Sequence, residues 1–369
     1  MSTLRVTAEL LTVHEHPNAD ALELAQVGLY RAVVAKGAYR SGDAAVYIPE
    51  QAVLPAELIE ELGLTGRLAG KASDRVKAVR LRGELSQGIV CRPRALADLD
   101  LAQAAADGTD FAELLSITKW SPPIPPTMDG EVERAPGLLP WVDIENIQRY
   151  PEIFEPGEPV VLTEKLHGSA CLLTYSVADG ERSETGVPTT EGRGKVQVSS
   201  KGFGAKGLAL AEDPRNLYWR AVLGHDVPAV AARLADKLGA SRIGLFGEVY
   251  GAGVQDLGYG ANARSEALGY AVFDVSAEID GQVRWLDPAG LLEGELPLVP
   301  RLYEGPYDIE KVLELASGRE TVSGRELHLR EGVVIRPATE RYSPVVGGRA
   351  IAKAVSPAYL TRKGGTEYE

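Results

Sequence analysis

Short runs of alternating apolar and polar residues, separated by turn residues, dominate the chain up to residue 117. Such alternation favours β-strands, and clusters such as HPNAD, RSGD and GELSQG favour turns. One apolar segment, PAELIEELGL, has helical spacing instead. The β-like runs are LRVTAELLTV, ALELAQVGLYRAVVA, AAVYIP, RVKAVRLRG and QGIVCRP. Five β runs with one helical insertion predict a small closed β-barrel in this part of the chain.

The pattern changes after a segment rich in proline and acidic residues, TKWSPPIPPTMDGEVERAPG, which predicts an extended, exposed stretch. From about Val160, β-like runs alternate with helical ones. The β-like runs are VVLTEKL, ACLLTYSV, KVQVSS, RIGLFGEVYG, LGYAVFDVSA, EGVVIRP and AIAKAVS, and the helical runs are NLYWRAVLG, VPAVAARLADKLG and IEKVLELASG. This order predicts an α+β domain built on antiparallel sheet.

We therefore predict three parts along the chain. Residues 1–120 form an OB-like barrel, the type of small barrel that often binds nucleic acid on one face. Residues 121–158 form a linker and docking segment, and residues 159–369 form the α+β domain.

Composition indicates an ordinary soluble protein of 369 residues, with 44% hydrophobic and 25% charged residues. The two cysteines, Cys91 and Cys171, lie in apolar runs, so a reducing compartment is favoured over a disulfide framework. The N-terminal residues lack the pattern of a secretory signal, and no apolar run has the length of a membrane helix. We expect a cytoplasmic monomer without membrane association.

The net charge of −13 argues against nucleic-acid binding by the whole surface, but basic residues are concentrated locally. Residues 67–94 hold eight basic and two acidic residues, and residues 325–363 hold eight and three. Either segment alone is equally compatible with a solvated surface, whereas the two together predict a local phosphate-binding track. In RVKAVRLRG, strand alternation would place Arg80 and Arg82 on one face and Arg75 and Lys77 on the other. These four residues are our candidates for nucleic-acid binding.

Charged residues also occur in apolar β runs of the second half, beginning with VVLTEKLHGSACLLTY. Burying an ammonium group costs several kcal/mol unless it is paired or neutral. The presence of Lys165 in this apolar run therefore indicates a functional role for its charge. Similar residues beside glycine or at strand ends are Lys201 in SSKG, Glu248 in FGEVYG, Asp274 after Phe273 in YAVFDV, Glu331 and Arg336 in EGVVIRP, and Lys353 in AIAKAVS. Each alone has a structural explanation, such as a lysine that extends to water or a phenylalanine in the core.

The ordered set, however, resembles the covalent nucleotidyltransferases, the family of polynucleotide ligases and mRNA capping enzymes, over residues 160–363. EKLHG resembles the lysine motif of that family, in the KxHG form of nick-sealing RNA ligases. An OB-like module before that motif is similar to the Deinococcus-type RNA ligases. The resemblance implies an antiparallel-sheet α+β nucleotidyltransferase (ATP-grasp-like ligase) domain over residues 159–369. It also implies ATP as cofactor and, as partner, a nicked duplex with RNA on the 3′-OH side and a 5′-phosphate.

The resemblance assigns a role to each residue. Lys165 would attack the α-phosphate of ATP and become lysyl-AMP. We expect partial desolvation and nearby cations, among them Lys201, Lys353 and a metal ion, to lower the pKa of this lysine. Gly168 would allow the backbone to approach the nucleotide. Glu164 would contact the adenine amino group, and His167 would contact metal-bound water or have a structural role.

The remaining roles concern the rest of the nucleotide. Phe273 and Val334 would stack on the two faces of the purine, and Glu248 would accept from the ribose hydroxyls. Lys201, Arg336 and Lys353 would bind phosphates. Glu331, together with Glu248, would hold Mg²⁺ or Mn²⁺, since hard oxygen ligands favour these ions. The catalytic set is thus Lys165, Lys201, Glu248, Glu331 and Lys353.

One departure from the family pattern concerns the last motif, which often carries two lysines spaced KxK. Here Lys353 is followed by Ala354 and Val355, so the second lysine is absent. The main hypothesis is an ATP-dependent RNA ligase. The alternatives are a catalytically decayed ligase that binds nucleic acid through its front module, disfavoured by the retained Lys165 and Glu248, and, more remotely, a capping-type guanylyltransferase.

Overall fold

The computed structural model describes residues 4–177, 194–261 and 267–366. The chain divides into two compact units. The first comprises Met1–Ser121, Asp143–Phe154 and Pro357–Lys363, and the second comprises Pro122–Val142, Glu155–Ser356 and Gly364–Glu369. The segment predicted as a linker therefore contributes to both units, and the three-part domain division stays a prediction.

The described strands, in chain order, are β1 (Thr7–Leu10), β2 (Thr12–Glu15), β3 (Leu22–Val27), β4 (Tyr30–Ala35), β5 (Ala44–Ile48), β6 (Ala52–Val53), β7 (Val79–Leu81), β8 (Glu84–Ser86), β9 (Ile89–Cys91), β10 (Thr118–Lys119), β11 (Val132–Arg134), β12 (Glu145–Asn146), β13 (Pro159–Lys165), β14 (Ser169–Val177), β15 (Gly194–Ser200), β16 (Leu208–Leu210), β17 (Arg242–Tyr250), β18 (Gly269–Ile279), β19 (Gln282–Leu286), β20 (Arg301–Pro306), β21 (Gly332–Pro337), β22 (Tyr342–Ser343), β23 (Gly348–Arg349) and β24 (Ala352–Val355). The described α-helices are α1 (Ala56–Glu61), α2 (Leu101–Asp107), α3 (Lys201–Gly204), α4 (Leu217–Gly224), α5 (Val227–Leu238), α6 (Pro288–Leu292), α7 (Ile309–Ala316) and α8 (Pro357–Leu360).

The first unit is built mainly from two three-stranded antiparallel sheets, ordered β1-β5-β9 and β2-β3-β4. Strand β5 is buried on both faces, which explains its nearly continuous apolar sequence. Val46 and Ile48 pack in one apolar cluster, and Ala45 and Tyr47 pack in another. The predicted helical insertion is confirmed as α1. Closure of these sheets into a barrel stays a prediction.

The RVKAVRLRG segment does not form one strand, so the predicted alternation of its basic residues is wrong. Only Val79–Leu81 forms a strand, β7, which pairs with β8 in a hairpin. The loop of the hairpin is Arg82-Gly83, with φ of 51° and 96° respectively. Two consecutive positive φ values are typical of a type I′ turn, which reverses the chain within two residues. Arg82 therefore lies in a turn and does not share a strand face with Arg80.

The second unit contains a seven-stranded antiparallel sheet, ordered β11-β16-β15-β14-β17-β18-β19, and a smaller antiparallel sheet with the order β24-β21-β13-β20. Strands β14 and β17 lie at the centre of the larger sheet, and α4 and α5 pack against it around one apolar core. The β and helical runs predicted for this half are confirmed as β13, β14, β15, β17, β18, β21 and β24 and as α4, α5 and α7. Among the described residues, no helix has the length and apolarity to cross a membrane.

A buried ion pair is part of the second unit. Arg349 donates to Asp274 and Glu340, and its guanidinium lies 4.3 Å from the ring centroid of Trp285. Burial raises the pKa of Asp274, although the Arg349 and Arg336 guanidinium groups act in the opposite direction. Asp274 follows Phe273 on β18. The Arg349–Asp274 ion pair therefore anchors the strand that carries the predicted site residue Phe273.

We expect Arg349→Met to lower the free energy of unfolding by about 3–5 kcal/mol, because the carboxylate of Asp274 would stay buried without its main partner. Urea unfolding followed by circular dichroism measures this change. Arg215→Met is the matched control, since its ion pair with Asp213 is exposed and contributes little. Equal midpoints for the Arg349 variant and the control would contradict the prediction.

Candidate active site

Lys165 is the last residue of β13, a strand hydrogen-bonded on both sides. Its ammonium group lies at the edge of a carboxylate pair, with Nζ 2.7 Å from Oε1 of Glu331. Strand register explains this contact: Lys165 pairs with Gly332, so the neighbouring Glu331 lies just beyond the end of β13. Gly332 in turn pairs with Val355, which brings β24 alongside. Three antiparallel strands thus carry EKLHG, EGVVIRP and AIAKAVS into one sheet.

The turn after Lys165 packs directly on β17. The backbone N–H of Gly168 donates to Oε1 of Glu248 at 3.0 Å, and the N–H of His167 donates to the hydroxyl of Tyr259 at 2.6 Å. A Cβ at position 168 would lie 2.2 Å from the carbonyl oxygen of Val249. Glycine is therefore required here by close approach of the turn to β17, which is what places Glu248 beside the lysine.

The electrostatics of Lys165 differ from the sequence-based expectation. Burial does act to lower its pKa, but the carboxylates of Glu331 and Glu248 act more strongly together, and the pKa is raised. Burial also raises the pKa of Glu248 to about 8, with Lys165 acting against this and Glu331 adding to it. The expected lowering of the lysine pKa is thus wrong for this arrangement, because the two carboxylates stabilise the ammonium form and outweigh the effect of burial.

Two further lysines form a cationic pair. Lys201 begins α3, and the Oγ of Ser200 accepts the N–H of Phe203 at 3.3 Å to cap that helix. Burial and the positive charge of Lys353 together lower the pKa of Lys201 to about 7, although Glu248 acts in the opposite direction. Lys353 lies on β24, opposite Val334 of β21. Two half-buried ammonium groups that interact in this way would be stabilised by an anion.

Glu164 is fully buried and only half satisfied. Its Oε2 accepts the backbone N–H of Thr321 at 2.9 Å and the hydroxyl at 2.6 Å, and lies 3.6 Å from Nε of Arg330. Burial raises the pKa of this carboxyl, against the effect of these donors. Across the described residues, no hydrogen-bond donor reaches its other oxygen, Oε1. A buried acceptor of this kind is costly unless a bound molecule provides the donor.

A cavity of about 270 Å³ lies beside β13. Thr163 of β13, Phe273 of β18 and Arg336 of β21 contribute to its lining, and Pro288, Leu298 and Val299 add apolar surface. Val334 is the strand partner of Thr163. The predicted stacking residue Phe273 therefore lies at a cavity, whereas the role of Val334 stays a prediction.

Arg336 is placed differently from the two lysines. Its guanidinium donates to the carbonyl oxygen of Phe273 at 3.3 Å and lies 3.7 Å from Oδ1 of Asp274 and 3.6 Å from Oδ1 of Asp287. Its charge is thus opposed by carboxylates, and these contacts do not favour the predicted binding of phosphate.

Sequence reasoning missed several residues that contact the site. Asp256 accepts a hydrogen bond from Nε2 of His167 at 2.8 Å, Tyr259 accepts from the backbone of the same residue, and Thr321 holds Glu164. Asp256 and Tyr259 follow the FGEVYG motif by fewer than ten residues, which is the one sequence signal for them. Thr321 is remote from every motif and carries no such signal.

The metal prediction can be tested against the side chains present. Among the described residues, no group of three or more His, Cys, Asp or Glu side chains forms a preassembled metal site. Glu331 and Glu248 nevertheless both face Lys165, and Oε2 of Glu331 is buried without a hydrogen-bond partner in the described part of the chain. These oxygens fit a hard divalent cation that completes its coordination with water and phosphate.

Comparison with protein families agrees with this geometry. The RNA ligase family model matches residues 158–355, and an OB-fold domain model matches residues 4–93. The chain therefore belongs to the RNA ligase family, with an OB-fold domain at its N-terminal end. The Deinococcus-type assignment stays a prediction. A search of curated proteins found no match.

Solved structures of Naegleria gruberi RNA ligase have the same fold over nearly the whole length of both chains. A lysine-to-alanine mutant with ATP and Mn is 24% identical, covers 96% of this chain and 98% of its own, and has a TM-score of 0.72. A glutamate-to-alanine mutant with AMP and Mn is 23% identical, with coverage of 97% and 98% and a TM-score of 0.73. The same ligase with PPi has the same identity, coverage and TM-score as that second mutant.

We expect binding of a non-hydrolysable ATP analogue at pH 8 to take up protons, partly at Lys201. With a pKa of about 7, this lysine is mostly neutral at pH 8, and a bound triphosphate would favour its charged form. ATP affinity should accordingly fall as the pH rises through 7. Calorimetry in buffers of different ionisation heat measures the uptake.

Lys201→Arg is the control for this experiment, because arginine is charged at either pH and Glu248 is retained. Equal proton uptake by the wild type and Lys201→Arg would contradict the prediction.

Proposed function

We propose that this protein is an ATP-dependent RNA ligase that forms lysyl-AMP at Lys165, transfers the AMP to a 5′-phosphate and joins that end to a 3′-OH. The observation that carries the proposal is the ion pair of Lys165 with Glu331, flanked by Glu248, in a chain of the RNA ligase family. A half-buried lysine that carboxylates orient, with two further lysines in the same unit, fits a nucleophile beside an anion site.

In the first step, Nζ of Lys165 loses a proton and attacks the α-phosphorus of ATP. The bond between this phosphorus and the bridging oxygen to the β-phosphate breaks, and pyrophosphate leaves. Oε1 of Glu331, at 2.7 Å from Nζ, is positioned to accept the proton. Lys201 and Lys353 would stabilise the negative charge of the leaving group.

Glu164 supports ATP rather than GTP as the nucleotide. Its Oε1 is a buried acceptor that no donor reaches among the described residues. Adenine presents an exocyclic amino group, which donates, at the ring position where guanine presents a carbonyl oxygen, which accepts. An acceptor facing guanine at this position would leave two acceptors opposed, and an unpaired buried polar group discriminates strongly.

A divalent cation would be held by Glu331 and Glu248. When bound, it supplies positive charge that offsets these carboxylates, lowers the pKa of Lys165 and neutralises phosphate. The remaining tasks belong to the chain itself: Glu331 orients Nζ, Gly168 holds Glu248, and Phe273 lines the cavity beside β13.

In the two later steps, an oxygen of the 5′-phosphate attacks the phosphorus of lysyl-AMP and the lysine leaves. The 3′-OH then attacks the activated 5′-phosphate, and AMP leaves. We propose a nicked duplex with RNA on the 3′-OH side as the substrate, because a KxHG lysine motif preceded by an OB-fold domain is similar to the Deinococcus-type ligases.

We expect label from α-labelled ATP to appear on the wild-type protein after denaturing electrophoresis, and no label on Lys165→Ala. Label from α-labelled GTP should be much weaker, because Oε1 of Glu164 would face the carbonyl oxygen of guanine, which is also an acceptor. Chelation of divalent cations should abolish labelling, and Mg²⁺ or Mn²⁺ should restore it.

Lys206→Ala is the matched control for the substitution, because Lys206 lies outside the carboxylate pair. Label that persists in Lys165→Ala would remove this residue as the nucleophile. An unlabelled wild-type protein would favour the decayed-ligase alternative, and stronger labelling by GTP would favour the guanylyltransferase.

The basic residues of the first unit support binding of the nucleic-acid substrate. Arg80 and Arg82 are exposed on the β7–β8 hairpin, whereas Arg75 and Lys77 are half-buried. The guanidinium of Arg75 lies 3.8 Å from the ring centroid of Trp120, so part of its role is packing. Arg80 and Arg82 are therefore the residues of this set most accessible to phosphate.

We expect the double variant Arg80→Gln/Arg82→Gln to bind a nicked duplex more weakly and with a smaller salt dependence. Each lost phosphate contact should reduce the slope of log K against log salt by about 0.9. Fluorescence anisotropy from 50 to roughly 200 mM salt, a range over which such contacts have large effects, measures the slope. Arg215→Gln, another exposed arginine, should leave it unchanged, and a slope in the double variant equal to that of the wild type would sink the assignment.

A further inference from the structure

Thr366 makes a set of hydrogen bonds with two residues that follow the FGEVYG motif. Its backbone N–H donates to Oδ1 of Asp256 at 2.8 Å, and its Oγ1 accepts the backbone N–H of Asp256 at 2.9 Å. The same Oγ1 lies 2.8 Å from Oε1 of Gln255 and 2.9 Å from Oδ1 of Asp256. Thr366 therefore fixes the side chains of both Gln255 and Asp256.

Those two side chains hold the turn that follows Lys165. Oδ1 of Asp256 accepts from Nε2 of His167 at 2.8 Å, and Nε2 of Gln255 donates to the carbonyl oxygen of Gly168 at 3.2 Å. The turn is thus held from one side by the Gln255–Asp256 pair and from the other by Glu248 and Tyr259. The turn is thus held by Gln255, nearly 90 positions further along the chain, and through it by Thr366, nearly 200 positions further.

The orientation of His167 matters for the carboxylate pair at Lys165. Because Asp256 accepts from Nε2, the opposite nitrogen, Nδ1, points towards Glu331 and lies 4.0 Å from its Oε2. Rotation of the imidazole would change the surroundings of Oε2 of Glu331. The other oxygen of the same carboxylate, Oε1, orients Nζ of Lys165. Misplacement of a reacting group by about 1 Å can cost up to roughly 100-fold in rate.

We propose that Thr366, Gln255 and Asp256 are positioning residues for lysine adenylylation, which act by fixing the imidazole of His167 and the carbonyl of Gly168. The proposal rests on the proposed function, since adenylylation of Lys165 is the step that it serves. The three residues act through the turn that follows Lys165. The hydroxyl of Thr366 is the group of this set that joins both side chains.

The test compares Thr366→Val, which removes the hydroxyl but keeps the branched shape, with Thr366→Ser, which keeps the hydroxyl. Rapid-quench measurement of protein–AMP formation in a single turnover gives the rate at saturating ATP. We expect Thr366→Val to lower this rate roughly tenfold without changing the ATP concentration for half-maximal rate, and Thr366→Ser to retain the wild-type rate. Thr361→Val is the matched control, because the hydroxyl of Thr361 donates only locally, to the carbonyl oxygen of Pro357 at 2.9 Å.

Two further measurements separate positioning from general destabilisation. In the Asp256→Ala background, Thr366→Val should cause little additional loss, since residues that act through one another are not additive. The imidazole N–H proton signal of His167, assigned by its loss in His167→Asn, should shift or broaden in Thr366→Val and stay unchanged in Thr361→Val.

A wild-type rate in Thr366→Val, an equal loss in Thr366→Ser, or an undiminished effect in the Asp256→Ala background would each overturn the inference. A wild-type protein that forms no lysyl-AMP would instead overturn the proposed function. The proton signal would still decide, in that case, whether Thr366 fixes the imidazole: an unchanged His167 signal in Thr366→Val refutes this fixing, and an altered one supports it.

Discussion

The active site depends on the pairing of one half-buried ammonium group with two carboxylates. Lys165 and Glu331 are in direct contact, and Glu248 is held beside them by the backbone of Gly168. Burial raises the pKa of Glu248 to about 8, and because one positive charge faces two carboxylates, Glu331 adds to this rise while Lys165 opposes it. The same imbalance raises the pKa of the lysine. The arrangement favours the ammonium form of Lys165, and its second carboxylate leaves negative charge that an added cation would offset.

Sheet register brings this cluster together. Lys165 ends β13, Glu331 precedes β21, and Lys353 lies on β24, so adjacent antiparallel strands deliver three motifs separated by up to 188 positions in the chain. Two glycines permit the close spacing. A Cβ at Gly168 would meet the backbone of β17, and a Cβ at Gly332 would lie 2.1 Å from the carbonyl oxygen of Ala354. The glycines of EKLHG and EGVVIRP are thus explained by packing between strands.

The surroundings of the arginines separate those held in packing and ion pairs from those exposed to solvent. Arg349 and Arg336 lie among carboxylates, and Arg75 lies against Trp120, so these side chains are committed to packing and pairing. Arg80 and Arg82 are exposed on a hairpin whose tight turn follows from Gly83. A basic run in the sequence therefore contains residues in different surroundings, which the linear pattern does not distinguish.

The sequence by itself determined the strands and helices of the second unit and the order of its motifs. These follow from local periodicity and from residue types within short segments, which a linear pattern retains. It also indicated the small β-rich first unit, but it extended one strand through Arg82, because alternation does not reveal a two-residue turn. The tertiary structure alone decided the balance of charges at Lys165, the pairing of Arg336 with carboxylates and the contacts of Asp256, Thr321 and Thr366. Each of these depends on distances between residues far apart in the chain, and no local pattern encodes such distances.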